Sequence, residues 1–193
     1  MEIGEVFCPK TRPEWRRWLE NHHEAKSEVW LRRFRKETGQ PCISYDELVE
    51  ECLCFGWIDG VVKKLDADST VQRITPRRKK GSYLSELNRQ RIWKLQKLGL
   101  MTKAGLTPIA QQIGSPDDPF DIPDWILEQL KADPLVWKNF QAFPRFYQRL
   151  KIGWTAEPSK SRRPIAQKRL DHLIKMTAQN KRYGTEPLKG INP

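Results

Sequence analysis

The sequence predicts an α+β fold: a small antiparallel three-stranded sheet with helices, followed by a helical C-terminal third. Three observations lead there. Runs with strand character occur only before Pro76, at Glu28–Lys36, Trp57–Leu65 and Thr70–Thr75. From Ser85 onward the apolar residues recur at helical spacing. Eight tryptophans and seven phenylalanines among 193 residues supply large apolar surfaces for a core, even though 31% of the chain is charged. That length suits one ordinary domain, or a domain with a helical extension.

Each element has its own signal. Thr11-Arg-Pro-Glu14 reads as a capping box with Pro13 in the first turn, and Trp15, Trp18, Leu19 and His22 follow on one stripe. In the first strand Val29 and Leu31 face one side, Trp30 and Phe34 the other, and Thr38-Gly39-Gln40-Pro41 turns the chain. A second capping box, Ser44 to Glu47, opens a helix carrying Leu48, Cys52 and Phe55, which ends at a left-handed Gly56. The next two strands are joined by the turn Asp66-Ala67-Asp68-Ser69, as a hairpin. Ser85 caps a helix running to Leu98 with Gly99 as its stop. Thr102 caps another that carries Leu106, Ile109 and Ile113. Short helices then span Pro123–Ala132, Pro134–Phe143, Pro144–Ile152 and Arg163–Gln179. On this reading residues 1–113 are the α+β portion, 114–123 an acidic, proline-bearing linker, 124–179 the helical portion, and 180–193 a tail expected to fray.

Charge is divided unevenly. Residues 60–103 carry twelve Lys/Arg against three Asp/Glu, as do residues 145–193, whereas residues 1–59 and 104–144 are net acidic. The overall charge of +11 therefore sits in two basic blocks. Such blocks attract phosphate or nucleic acid, and they equally serve as solvated helix faces. Met1 to Lys10 has no basic segment followed by an apolar run, and no stretch approaches eighteen apolar residues, so a membrane span is not expected and a cytoplasmic location is.

No complete catalytic apparatus is legible. Cys8, Cys42, Cys52 and Cys54 form no Cys-x-x-Cys pair, and on a regular helix Cys52 and Cys54 point about 200 degrees apart. Buried, reduced thiols are expected. His22, His23 and His172 lack ligand spacing, and neither a nucleophile elbow nor a glycine-rich phosphate loop occurs. No metal, cofactor or catalytic residue is assigned. The informative stretch is 52–88, where Asp59 stands just before Gly60 in a chain turning basic. Arg73, Arg77 or Arg78 would partner it across the hairpin, either to orient a guanidinium toward an anion or as a structural ion pair. Pro76 ends the strand and sends Arg77 and Arg78 toward the helix that starts near Ser85, whose N–H groups favour an anion.

The motifs Leu53-Cys54-Phe55-Gly56-Trp57-Ile58-Asp59-Gly60, Lys63-x-Leu65-Asp66, Gln72-Arg73-Ile74-Thr75-Pro76-Arg77-Arg78, Asn88 and Gly99-Leu100-Met101-Thr102-x-Ala104-Gly105-Leu106, with Trp15, Trp18-Leu19 and Val29-Trp30-Leu31 before them, resemble the YdeI/OmpD-associated, or bacteriocin-protection, family from about Val6 to about Met176. Two departures stand out. Leu84 in Ser82-Tyr83-Leu84-Ser85 replaces the family's tryptophan, and Ala156 to Arg163 lacks its Ala-Lys and Glu-Thr-Arg residues. The resemblance implies a bacterial stress-protection protein concerned with bacteriocin or cationic-peptide tolerance, with an envelope porin as a possible associate, and implies no reaction.

Three functions compete. The first is a non-enzymatic cytosolic binding protein with a pocket for a small anion at Trp57, Asp59, Lys63, Arg73, Arg77, Arg78 and Asn88, or with a protein partner. The second is a nucleic-acid-binding protein using one continuous basic face, with Trp93 and Tyr83 available to stack. The third is an enzyme on a small anionic substrate with Asp59 as base, which neighbouring arginines disfavour.

Overall fold

Of the two capping boxes expected near the N-terminus, the second closes reciprocally and the first forms only its Thr11 half, the Glu14 carboxylate accepting from the Lys10 amide instead. In the computed structural model, which describes residues 2–78, 82–156 and 163–188, the Thr11 side chain accepts from the Glu14 amide and opens helix α1, Arg12–His22. Ser44 and Glu47 close a reciprocal capping box at the start of α2, Tyr45–Cys54. Between them runs strand β2, Val29–Phe34, and after them β3, Trp57–Lys64, and β4, Ser69–Pro76.

The sheet has four strands and is mixed, where three antiparallel strands were expected. The addition is β1, Val6–Phe7, which pairs in parallel with β2, giving the order β1-β2-β4-β3. Two residues carry no periodicity, so only the Trp30 amide, donating to Glu5 O at 2.8 Å, and its neighbours make them a strand. The other two pairings are antiparallel, with Trp30 opposite Arg73 and Trp57 opposite Pro76. Between β3 and β4 the register slips, from Asp59 opposite Ile74 to Val62 opposite Gln72, so one extra residue bulges out beside Asp59.

The chain divides into two compact units. The first comprises residues 1–83 and 95–113, the second residues 84–94 and 114–193. In the first, Trp15, Trp30, Leu31, Leu48, Trp57 and Ile74 are fully buried. Trp15 and Trp18 stack at 5.2 Å between ring centroids, and Trp57 meets Trp18 edge-on at 5.8 Å. The indole N–H of Trp15 donates to Leu48 O and that of Trp57 to His23 O, so neither buries an unpaired donor.

Helix α3, Glu86–Lys97, begins where Ser85 Oγ accepts from the Asn88 amide, and Gly99 stops it with φ +67°. The Thr102 cap forms, but its helix α4 is confined to Lys103–Leu106 and passes into a 3₁₀ turn over Thr107–Ile109. Pro108 is the reason: it donates no backbone hydrogen bond and restricts the residue before it.

In the second unit α5, Asp124–Lys131, and α7, Arg145–Thr155, each follow a proline, while α6, Pro134–Ala142, is capped by Asp133; α8 spans Arg163–Ala178. Their core is Ile126, Leu130, Phe140, Tyr147, Leu170 and Leu173. The 114–123 segment is pinned rather than free, because Arg149 Nη1 donates to the carbonyls of Ser115, Pro116 and Asp118. Arg149 also lies over the Trp93 ring and pairs through Nε with the buried Glu86. The 180–188 segment is held by side chains: Leu188 is buried and the Tyr183 amide donates to Tyr147 Oη. The motif departure at 157–162 and the tail residues 189–193 lie outside the described residues.

Candidate functional site

The junction of α2 with β3 fixes the centre of the predicted motif. Gly56 takes φ +72°, as a helix that hands over to a strand within one residue requires. A Cβ there would stand 2.5 Å from Ala104 O, and one at Gly105 would stand 2.2 Å from Cys54 O. The two glycine-bearing motifs thus meet backbone to backbone. Thr102 completes the joint, since both its hydroxyl (2.6 Å) and its amide (3.2 Å) donate to Cys54 O, one of the carbonyls a helix C-terminus leaves open.

From this joint the chain leaves as β3, and the Arg77 amide donates to Gly56 O at 2.8 Å, prolonging the hairpin by one step. That bond carries the Arg77 side chain inward, where only 6% of the residue remains exposed. Its Nη1 donates to Ser82 Oγ at 2.9 Å and to Tyr83 O at 3.3 Å, both neutral acceptors. Burial pulls the guanidinium below its ordinary pKa, opposed by the nearby charge of Asp59 and by Cys52.

Among the described residues Asp59 is not hydrogen-bonded to an arginine. Its Oδ2 accepts from Tyr45 Oη at 2.8 Å and from Gln72 Nε2 at 2.9 Å, which the bulge beside it brings within reach. Gln72 is 4% exposed, and its Oε1 is buried without a hydrogen-bond partner among the described residues. Tyr45 was not singled out from the sequence, and Gln72 was named only within its motif, not as a site residue. A glutamine at a buried position of a strand was a usable signal, because a buried amide must be satisfied.

The remaining predicted residues scatter. Trp57 is 1% exposed and belongs to the core. Arg73 pairs with Glu28 through Nε at 2.8 Å and also through Nη2, and this bond holds the Glu28 carboxyl below its usual range. Lys63 extends over the Trp30 ring with Nζ 5.5 Å from its centroid. Arg78 is exposed. Asn88 belongs to the second unit, where its Oδ1 accepts from Arg91 Nη1. Within the set, the charge of Asp59 acts on the Arg77 guanidinium.

Neighbouring acids and thiols are engaged structurally. Glu51, 1% exposed, accepts from Arg12 Nε at 2.6 Å and Arg16 Nη1 at 2.9 Å, and Arg12 also reaches Glu50. Burial raises the Cys52 thiol well above its ordinary value and Cys54 to about 12. Among the described residues no group of three or more His, Cys, Asp or Glu is placed to hold a metal ion, and no helix is long and apolar enough to cross a membrane.

An α+β unit built on a mixed sheet and followed by a helical unit is thus the class of protein. Its family follows from comparison: the chain belongs to the family described as a domain of unknown function, DUF8412, whose model matches residues 7–108. Residues 119–180 match the bacteriocin-protection, YdeI or OmpD-associated family, bearing out that resemblance over the helical part. The Cys-Phe-Gly-Trp and Thr-Pro-Arg-Arg motifs fall within the first match and outside the second. No curated protein and no solved structure matches the chain.

Proposed function

We propose that this chain is a non-enzymatic, cytoplasmic bacterial protein of the bacteriocin and cationic-peptide tolerance type that binds a small anion at Arg77. The observation that carries the reading is a buried arginine, 6% exposed, whose guanidinium hydrogen bonds among the described residues go to neutral oxygens. Desolvating a cation costs several kcal/mol in principle; the charge of Asp59 offsets part of that cost without a hydrogen bond to the guanidinium, and an arriving anion would offset more. The family-level link to bacteriocin protection comes from the 119–180 match. Four free cysteines suit a reducing compartment.

The nucleic-acid reading is weaker, since cations of the 60–103 block are committed elsewhere: Arg73 to Glu28, Arg89 to Glu86, and Arg77 to the interior. The enzymatic reading needs Asp59 as a mobile base, whereas two donors converge on one of its oxygens and fix its orientation.

Calorimetric titration with phosphate, sulfate and acetate at constant ionic strength tests the proposal. Arg77→Met should weaken anion binding about ten- to hundredfold, the loss of one or two charge-assisted hydrogen bonds. Asp59→Asn should tighten it, because Asp59 is held by Tyr45 and Gln72 and its charge opposes the anion. Unchanged binding in Arg77→Met, with the protein folded, refutes the site. Strong binding of a DNA duplex that falls steeply with salt would favour the basic face instead. Cells relying on Arg77→Met should lose tolerance to a cationic peptide.

A further inference from the structure

A lysine sits where a lysine is costly. Lys151, on α7 of the second unit, is 5% exposed. Its Nζ lies 3.7 Å from the centroid of the Tyr183 ring, 5.1 Å from that of Tyr147 and 5.8 Å from that of Trp154. The acid whose charge it feels, Glu186, is ion-paired with Arg182 instead, at 3.0 Å. Ring faces attract an ammonium but accept its three N–H donors poorly, so this enclosure favours the neutral amine more than water does. Burial accordingly lowers the amine's pKa to about 8.

The enclosure is thin on one side. The exposed Gly184 passes over the amine, with φ +77°, and a Cβ there would stand 3.1 Å from Nζ. A hydrogen side chain lets the Gly184 backbone lie this close to the amine. Tyr183 Oη is buried without a hydrogen-bond partner among the described residues, leaving a phenol beside the amine that nothing yet satisfies. His172 packs edge-on against the Tyr183 ring at 4.5 Å. None of these groups takes part in the anion site proposed for the first unit.

We propose that Lys151 is a carbonyl-capturing amine that forms a reversible imine with small, uncharged aldehydes entering past Gly184. The Nζ lone pair attacks the carbonyl carbon, and the π electrons move to oxygen, which takes a proton while nitrogen gives one up. The carbinolamine then loses its hydroxyl as water as the C=N bond forms, so one water leaves per imine and no electrons are exchanged with an outside reagent. Ring walls suit an uncharged, compact electrophile, and with no hydrogen-bond acceptor at Nζ among the described residues the ammonium is not stabilised over the nucleophilic neutral amine.

The test uses the full chain with acetaldehyde and sodium cyanoborohydride, which delivers hydride to the imine carbon and fixes the adduct as a secondary amine. Peptide mass spectrometry then compares Lys151 with the exposed Lys138 and Lys175. At pH 7.5 an amine with pKa near 8 is neutral about two-hundredfold more often than an ordinary lysine, so Lys151 should label at least about tenfold faster despite its burial. Its rate should level off above about pH 8, whereas those of the other two should still climb toward pH 10. The titratable and charged groups around it are Tyr147, Tyr183, His172, Arg182 and Glu186, and Glu186→Gln should shift the profile to lower pH. Equal or slower labelling of Lys151 overturns the proposal, as does a rate still climbing to pH 10.

Discussion

Three glycines in the first unit separate two physical costs that usually occur together. Gly99 has φ +67° and nothing within 4 Å of the position a Cβ would take. Gly105 lies in α4 without positive φ, but its Cβ would stand 2.2 Å from Cys54 O and 2.6 Å from Leu53 O. Gly56 combines both conditions, with φ +72° and a Cβ 2.5 Å from Ala104 O. Gly99→Ala should therefore lose about 1 to 2 kcal/mol, the penalty of a left-handed L-residue. Gly105→Ala gains about 1 kcal/mol of helix propensity but must push two backbones apart, typically 1–3 kcal/mol, and strains the Thr102 bonds to Cys54 O at about 1 kcal/mol each. Gly56→Ala carries both penalties, for about 2–5 kcal/mol, a sizeable part of an ordinary domain's stability. Urea titration followed by tryptophan fluorescence measures all three, with the first unit's transition as the readout. If Gly56→Ala costs no more than Gly99→Ala, the close approach of the two motifs is not real and their sequence pattern needs another cause.

Two further outcomes follow from the same unit. Glu51→Gln should destabilise by about 3 kcal/mol in urea titration, because Arg12 and Arg16 would lose a buried counter-charge, whereas Glu5→Gln at the exposed Lys26 pair should change stability by less than about 1 kcal/mol. Cys52 and Cys54 should resist iodoacetamide at pH 8 and react once urea unfolds the chain, as mass spectrometry would show, since burial keeps both thiols protonated. The same shift sets a sign for stability: Cys54 rises from 9.0 to about 12 on folding, so its contribution is fully present below pH 9 and is lost as pH climbs toward 12. A Cys54→Ala variant should flatten that alkaline decline.

What the sequence determined by itself is local. Thr11, Ser44, Ser85 and Thr102 cap helices where their side chains find free N–H groups within three residues, and Gly56 and Gly99 end helices because the left-handed turn is theirs at little cost. Periodicity likewise placed β2, β3 and β4. Tertiary structure decided everything that depends on which distant residue arrives. β1 is two residues long and exists only because Trp30 and Leu31 offer it an edge. Asp59 was expected to meet an arginine, yet a one-residue bulge turns it to Gln72 and Tyr45, while Arg73 goes to Glu28 across β2. No composition or spacing distinguishes Arg77 from Arg78; one backbone bond to Gly56 buries the first and leaves the second in solvent. Lys151 reads as one more cation of a basic block until three rings from α7 and the following tail close around it. Local hydrogen bonds are written within a few residues and can be read there, whereas burial of a charge is a property of the whole fold around it.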